Sequence, residues 1–267
     1  MKPSIDLVAG ARPNFIKLAP VARALSEVNR LDFRIVHTGQ HYDDSMNDVF
    51  FRELGIPSPD VHLGVGSGSH GSQTARILER YEAHLMKHSP AATVVFGDVN
   101  STIACALGAV KLGVPVAHVE AGLRSFDRTM PEEINRLLTD AVSDLLLVSE
   151  PSGIENLQRE GVPANKIRLV GNVMIDTLLG QLETARSRQA AKTLRLEKKK
   201  YGFVTIHRPS NVDDASTLKC LLNLLHELAE AVPLVFPVHP RTSASAKRLG
   251  LDSLLKPNQN HLLCIPP

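Results

Sequence analysis

Short β-branched, wholly apolar runs alternate with longer amphipathic ones along the chain. "IDLVAG" (5–10), "FRIVHTG" (33–39), "ATVVFGD" (92–98), "VPVAHVEA" (114–121), "DLLLVS" (144–149) and "KIRLVG" (166–171) read as strands. Between them, "NFIKLAPVARALSEV" (14–28) and "PEEINRLLTDAVS" (131–143) carry apolar residues at helical spacing. Strands apolar throughout, separated by helices, predict a parallel sheet covered on both faces, the doubly wound α/β architecture.

After Gly171 the pattern changes to a polar helical stretch ending in "EKKK" (197–200), read as a solvated helix end. The alternation restarts with "YGFVTIH" (201–207), "PLVFPVH" (233–239) and "HLLCIP" (261–266). This predicts two Rossmann-like domains. Residues 1–171 form the first, 172–200 a linking helix, and 201–267 a second domain with room for only about three strands. A doubly wound sheet carries more, and the sequence stops on "IPP" directly after a strand-like run. The expectation is a C-terminally truncated chain with an incomplete second domain.

Composition narrows the function classes. With 43% hydrophobic and 22% charged residues, the 267-residue chain is ordinary for a globular protein. A formal net charge of +2 argues against a general nucleic-acid binder or a polybasic membrane surface. No apolar run reaches the roughly 18 residues that span a bilayer. Cys105, Cys220 and Cys264 lie far apart, which fits a reducing compartment and a cytoplasmic location.

The chemistry collects where strands end. In open parallel sheets ligands bind beyond the carboxyl ends of the strands. The first strand ends in "GARPN", giving Arg12 and Asn14, with Lys17 one turn into the helix. The second ends in "TGQH", the third in "GDVNST" with Asp98, and the fourth in Glu120 followed by "GLRSFDRTMPEEINR" (122–136). Later strands end in "HRPSN" (His207) and "HPRT" (His239). Basic groups suit an anionic ligand and carboxylates suit proton transfer.

Each residue also has a plain structural reading. Asp98 and Asn100 are good helix N-caps. Glu132 and Glu133 follow Pro131 in a first helical turn, where the dipole favours carboxylates. Arg12 can cap a helix or pair with a surface acid, and His207 and His239 fit hydrogen-bonded histidines at a core edge. Their shared placement at one sheet edge favours the functional reading. "GVGSGSHG" (64–71) has Ser69 where a GxGxxG loop needs its third glycine, and it reads as a loop. The eleven histidines show no metal-ligand spacing, and no cofactor motif is present.

The segments "GARPNFIKLAPV", "TGQHYDDSM", "VVFGDVNSTIACA", "PVAHVEAGLRSFDRTMPEEINRLLTD", "VGNVMIDTL", "TIHRPSNVDD" and "FPVHPRT" together resemble the non-hydrolysing UDP-N-acetylglucosamine 2-epimerases. The resemblance runs over essentially the whole chain and is most specific in the "HVEAGLRS" and "MPEEINR" blocks. It implies a glycosyltransferase-B arrangement of two Rossmann-like domains and interconversion of UDP-GlcNAc and UDP-ManNAc without a cofactor. It also implies a homodimer. By motif matching, Asp98, Glu120, Glu132 and His207 carry over as catalytic residues, and Arg12, Lys17, Arg136 and His239 as substrate-binding or site-organising ones.

Two departures stand out. Family members continue with a "TDSGGIQEE"-type segment that holds the nucleotide, and this chain has no counterpart. "YDDSMND" after Gln40-His41 also differs from the family version linked to regulation by a second substrate molecule, so regulation does not carry over. The competing readings are a glycosyltransferase or hydrolysing epimerase of the same fold, and an inactive nucleotide-sugar-binding remnant.

Overall fold

The computed structural model describes residues 2–28, 30–40, 51–256 and 261–266. The chain divides into two compact units, Met1–Leu182 and Glu183–Pro267, each built on its own parallel sheet.

The first unit contains seven strands in the order β3-β2-β1-β4-β5-β6-β7. They are β1 (Ser4–Ala9), β2 (Asp32–His37), β3 (Val61–His62), β4 (Ala92–Phe96), β5 (Val116–Ala121), β6 (Leu145–Val148) and β7 (Ile167–Leu169). Every pairing is parallel. The reversal of strand order between β1 and β4 creates the switch point at which doubly wound sheets bind ligands.

Period-two side-chain alternation divides β1 between the two faces. Ile5, Leu7 and Ala9 pack with Phe15, Leu18 and Ala22 of α1 (Arg12–Val28). Val8 packs on the other face with Ile77, Tyr81 and Leu85 of α2 (His70–His88) and Ala104 to Ala106 of α3 (Asn100–Lys111). Asp6 shares that second face, fully buried, and its carboxylate accepts from Arg34 Nε at 3.0 Å and the Tyr81 hydroxyl at 3.3 Å, with His84 Nε2 at 2.8 Å. This charged cluster is kept within the core by mutual pairing. The unit continues through α4 (Pro131–Val142), α5 (Pro151–Arg159) and the start of α6 (Val173–Ser187).

Pro20 lies inside α1, where its missing N–H leaves the Ile16 carbonyl without its helical donor. Thr177 of α6 supplies one, its hydroxyl donating to Ile16 O at 2.6 Å. A proline-induced vacancy therefore ties α6 onto α1.

The second unit has a three-stranded sheet, β10-β9-β8, formed by β8 (Gly202–Phe203), β9 (Leu234–Pro237) and β10 (Leu262–Ile265). Its core gathers Leu218, Leu222 and Leu225 of α9 (Ala215–Ala231) with Leu234, Phe236 and Leu262. Asp214 caps α9 by accepting from Thr217 N at 2.8 Å. Two shorter helices, α8 (Pro209–Val212) and α10 (Pro240–Arg248), follow β8 and β9.

The segment 172–200, expected as one helix, is not continuous. α6 stops at Ser187, Gln189 adopts a left-handed φ of 46°, and a single turn, α7 (Ala190–Thr193), follows. Arg195 and Lys199 also have positive φ, so "EKKK" lies in a turn, closed by a Lys200–Glu197 ion pair at 2.7 Å. Residues 188–200 are mostly exposed, and without a continuous apolar stripe to bury, helical propensity does not carry the helix beyond Ser187.

Candidate active site

The site forms at the carboxyl ends of β1, β4 and β5, and Gly97 is its pivot. Its N–H donates to Val119 O at 3.0 Å, and its φ of +63° turns the chain out of β4. A Cβ at this position would lie 2.6 Å from Lys17 Nζ and 3.5 Å from Glu120 Oε2. Only glycine supplies both the conformation and the space.

Lys17 reaches this point from the second turn of α1 and forms an ion pair with Glu120. Glu120 has a φ of +73°, and the β5–β6 register shifts between Val119 and Ala121. The glutamate is thus the extra residue of a β-bulge, a device that re-aims a side chain at the end of a strand. Left-handed backbone at a non-glycine residue costs about 1–2 kcal/mol, and such strain concentrates at functional sites.

Asp98 follows Gly97 directly. It does not cap α3: the residue before the helix is Val99, with no side-chain cap, and Asn100 is already helical. The Asp98 carboxylate instead accepts from Arg136 Nη2 at 2.5 Å, and Asn135 Nδ2 donates to the Asp98 backbone carbonyl at 2.9 Å. Arg136 Nη1 donates to Glu133 Oε2 at 2.8 Å, so one guanidinium spans two carboxylates.

Glu133 is the buried member of the Glu132–Glu133 pair. It accepts from Ser125 N at 2.9 Å, Ser125 Oγ at 3.0 Å and Phe126 N at 3.1 Å, closing the loop before α4. Burial pushes its carboxyl up, but these bonds and that from Arg136 outweigh it and hold the group below its ordinary value. Glu132 is half-buried and takes part in none of the hydrogen bonds or ion pairs of the described residues.

Below this edge lies a buried relay. His118 Nδ1 is 2.7 Å from Asp140 Oδ1, and its Nε2 is 2.8 Å from the Gly97 carbonyl. Asp140 Oδ2 accepts from Gly122 N at 3.0 Å and pairs with Arg124 at 2.8 Å. Burial raises the Asp140 carboxyl, while His118 and Arg124 bring it below its usual value overall.

The flank towards β2 is polar and tightly knit. Asn14 accepts from the amides of Gly10 and Ala11 at 3.1 and 3.2 Å and donates to Phe96 O at 2.9 Å. Gln40 accepts from the Ser101 hydroxyl at 2.7 Å, and a side chain at Gly10 would overlap that hydroxyl. Gln73 links Gly66 O, at 2.9 Å, to Asn100, which donates to it at 2.9 Å. The "GVGSGSHG" loop is held by its own helix, with Arg76 donating to Ser67 O at 2.9 Å and Arg80 to Gly64 O at 2.6 Å.

Asp98, Glu120, Lys17 and Arg136 are therefore brought to one sheet edge, with Glu132 on the adjoining helix. The backbone of Arg12 begins α1, and its side chain lies outside the described residues, as do residues 41–50 that follow Gln40. In the second unit His207 and His239, both exposed, stand beyond the strand ends with ring centroids 5.2 Å apart. His239 Nδ1 accepts from Arg241 N at 3.1 Å and so caps α10. Among the described residues no cluster of three or more His, Cys, Asp or Glu could hold a metal, and no helix is long and apolar enough to cross a membrane.

Sequence reasoning missed His118 and Asp140, and it gave Glu133 only the reading of a first-turn helix acid. Glu133 had a signal in its i,i+3 spacing to Arg136. His118 had none beyond being a histidine in an apolar strand.

Comparison with known proteins identifies the family. The family model described as UDP-N-acetylglucosamine 2-epimerase matches residues 23–267. The chain belongs to that family. It is 45% identical over 266 residues to a UDP-N-acetylglucosamine 2-epimerase homolog from Methanococcus maripaludis, covering 98% of this chain and 72% of the relative. A UDP-2,3-diacetamido-2,3-dideoxy-D-glucuronate 2-epimerase of Pseudomonas aeruginosa is 45% identical over 249 residues, covering 91% and 69%. The crystal structure of Methanocaldococcus jannaschii UDP-GlcNAc 2-epimerase in complex with UDP-GlcNAc and UDP superposes with a TM-score of 0.87 at 42% identity, covering 99% of this chain and 73% of that one. The parallel α/β units described above are thus of the glycosyltransferase-B type found in the 2-epimerase family.

Proposed function

We propose that the protein interconverts UDP-GlcNAc and UDP-ManNAc as a non-hydrolysing 2-epimerase. The observation that carries this reading is the pairing of Glu120 with Lys17 beside Asp98 with Arg136, around Gly97, in a chain of this family.

The chemistry explains the crowding of charge. C2 of the sugar has no neighbouring carbonyl, so loss of its proton gives no stabilised enolate. A base removes the C2 proton as the C1–O bond breaks; the C–H electron pair forms the C1=C2 bond and UDP departs with the bonding pair. For return, a UDP oxygen attacks C1 while an acid delivers a proton to C2 from the opposite face. Two carboxyl groups on opposite sides of the ring meet this need. Asp98, Glu120 and Glu132 supply the candidates, with His207 as a further catalytic group. Cationic groups must retain the pyrophosphate between the two half-reactions. Arg12, Lys17, Arg136 and His239 are assigned to substrate binding and site organisation.

A glycosyltransferase has no use for opposed carboxylates at C2, which sets that reading aside. The Pseudomonas relative, named as acting on a diacetamido uronate, favours one variant of the proposal: the same epimerisation on a C6-oxidised sugar. Parallel assays with UDP-GlcNAc and the diacetamido-uronate nucleotide, read by NMR of the C2 position, distinguish them. Turnover of neither would overturn the reading.

A homodimer is proposed on the family resemblance, to be tested by light scattering of the eluted protein. Three cysteines without a disulfide support a cytoplasmic location.

A further inference from the structure

His118 is fully buried, and both of its ring nitrogens face groups that can only accept. The Gly97 carbonyl, 2.8 Å from Nε2, has no proton to give. The Asp140 carboxylate, 2.7 Å from Nδ1, already receives the Gly122 amide and the Arg124 guanidinium on its other oxygen. Two donors fixed on one oxygen are the environment of an ionised carboxylate, which leaves Oδ1 as an acceptor. A neutral imidazole has one N–H and one lone pair, so at one end it would set two lone pairs against each other at hydrogen-bond distance.

We propose that His118 is held as a doubly protonated imidazolium that acts as a positioning residue, gripping the Gly97 carbonyl and thereby fixing Asp98 relative to Glu120. Gly97 is tied to β5 at both backbone groups, its N–H to Val119 O and its carbonyl to His118. The residue after it is Asp98, and the Lys17–Glu120 pair lies against its Cα. Glu120 is itself two residues beyond His118, on the bulge whose next turn Asp140 secures through Gly122 N. One buried cation and its carboxylate partner thus set both candidate carboxylates. Proton transfer at C2 depends on that separation, because misplacement by about 1 Å costs on the order of 10²-fold in rate.

The catalytic part of this inference rests on the epimerase reading; the protonation part does not. The test therefore begins without substrate. Protein labelled with 15N-histidine is examined by NMR at pH 7.5, with the His118 signals assigned by their loss in His118→Gln. Both ring nitrogens showing the shift of a protonated N–H is the expected result. One nitrogen at the unprotonated shift would overturn the proposal.

Kinetics of His118→Gln and Asp140→Asn with UDP-GlcNAc form the second arm. Both should lose about 10²-fold in kcat with KM changed by less than about threefold, the mark of misplaced chemistry rather than lost binding. Unchanged kcat in folded variants, or an effect confined to KM, would refute the positioning role. An inert wild-type chain would count against the epimerase reading, while the NMR result would still decide the state of His118.

Discussion

Lys17 and Glu120 form their ion pair directly against the Cα of Gly97, at a point where no other residue leaves room. Replacing Gly97 by alanine puts a methyl group 2.6 Å from Lys17 Nζ and forces a side chain into φ +63°. Gly97→Ala should lose about 1–2 kcal/mol of stability in urea unfolding, and most of its turnover as Lys17 is displaced. A variant as stable and active as the parent would show that this contact does not organise the site.

Glu120→Gln keeps the size of the side chain and removes its capacity to take a proton. We expect turnover to fall about 10²–10⁴-fold while far-ultraviolet circular dichroism is unchanged. Retained activity would remove Glu120 from the mechanism.

Arg136 spans Asp98 and Glu133 with two different nitrogens, a task that one ammonium cannot reproduce. In steady-state assays Arg136→Lys should therefore remain impaired despite keeping the charge. A lost charge-assisted hydrogen bond of about 1.5–3 kcal/mol corresponds to roughly ten- to hundredfold in kcat/KM. Full rescue by lysine would reduce the role of Arg136 to its charge.

Glu133 and Asp140 have folded-state values below the unfolded references of 4.5 and 3.8. Their contribution is present above those references and is lost as pH falls through the depressed folded values. The urea midpoint should therefore drop as pH is taken from about 5 to 3, and Glu133→Gln should flatten that slope. An unchanged slope in the variant would assign the acid sensitivity elsewhere.

Asp6 lies within the central strand β1, buried with Arg34, Tyr81 and His84. Asp6→Ala strands those partners and should cost about 3–5 kcal/mol in equilibrium unfolding. A loss of under about 1 kcal/mol would mean that the cluster is far better solvated than its burial indicates.

The sheet of the first unit was legible because its strands are apolar on both faces; β3, two residues long at the edge, is too short to leave such a pattern. The linker misled because a polar stretch of good helix formers reads as a helix, whereas its continuity depends on a partner surface that residues 188–200 do not have. At the site, strand-end position identified Asp98 and Glu120, but the bulge that aims Glu120 has no sequence mark. Two adjacent glutamates at the start of α4 look equivalent in sequence. Helical rotation alone turns Glu133 inward onto Ser125 and Arg136, leaving Glu132 at the edge.

The central claim is that these carboxylates exchange the C2 proton of a UDP-sugar. It is tested most directly by incubating the purified 267-residue protein with UDP-GlcNAc in D2O and following the sugar C2 position by NMR. The account predicts deuterium at C2 together with UDP-ManNAc. Protein that circular dichroism shows to be folded, yet that leaves the C2 proton in place, would contradict it.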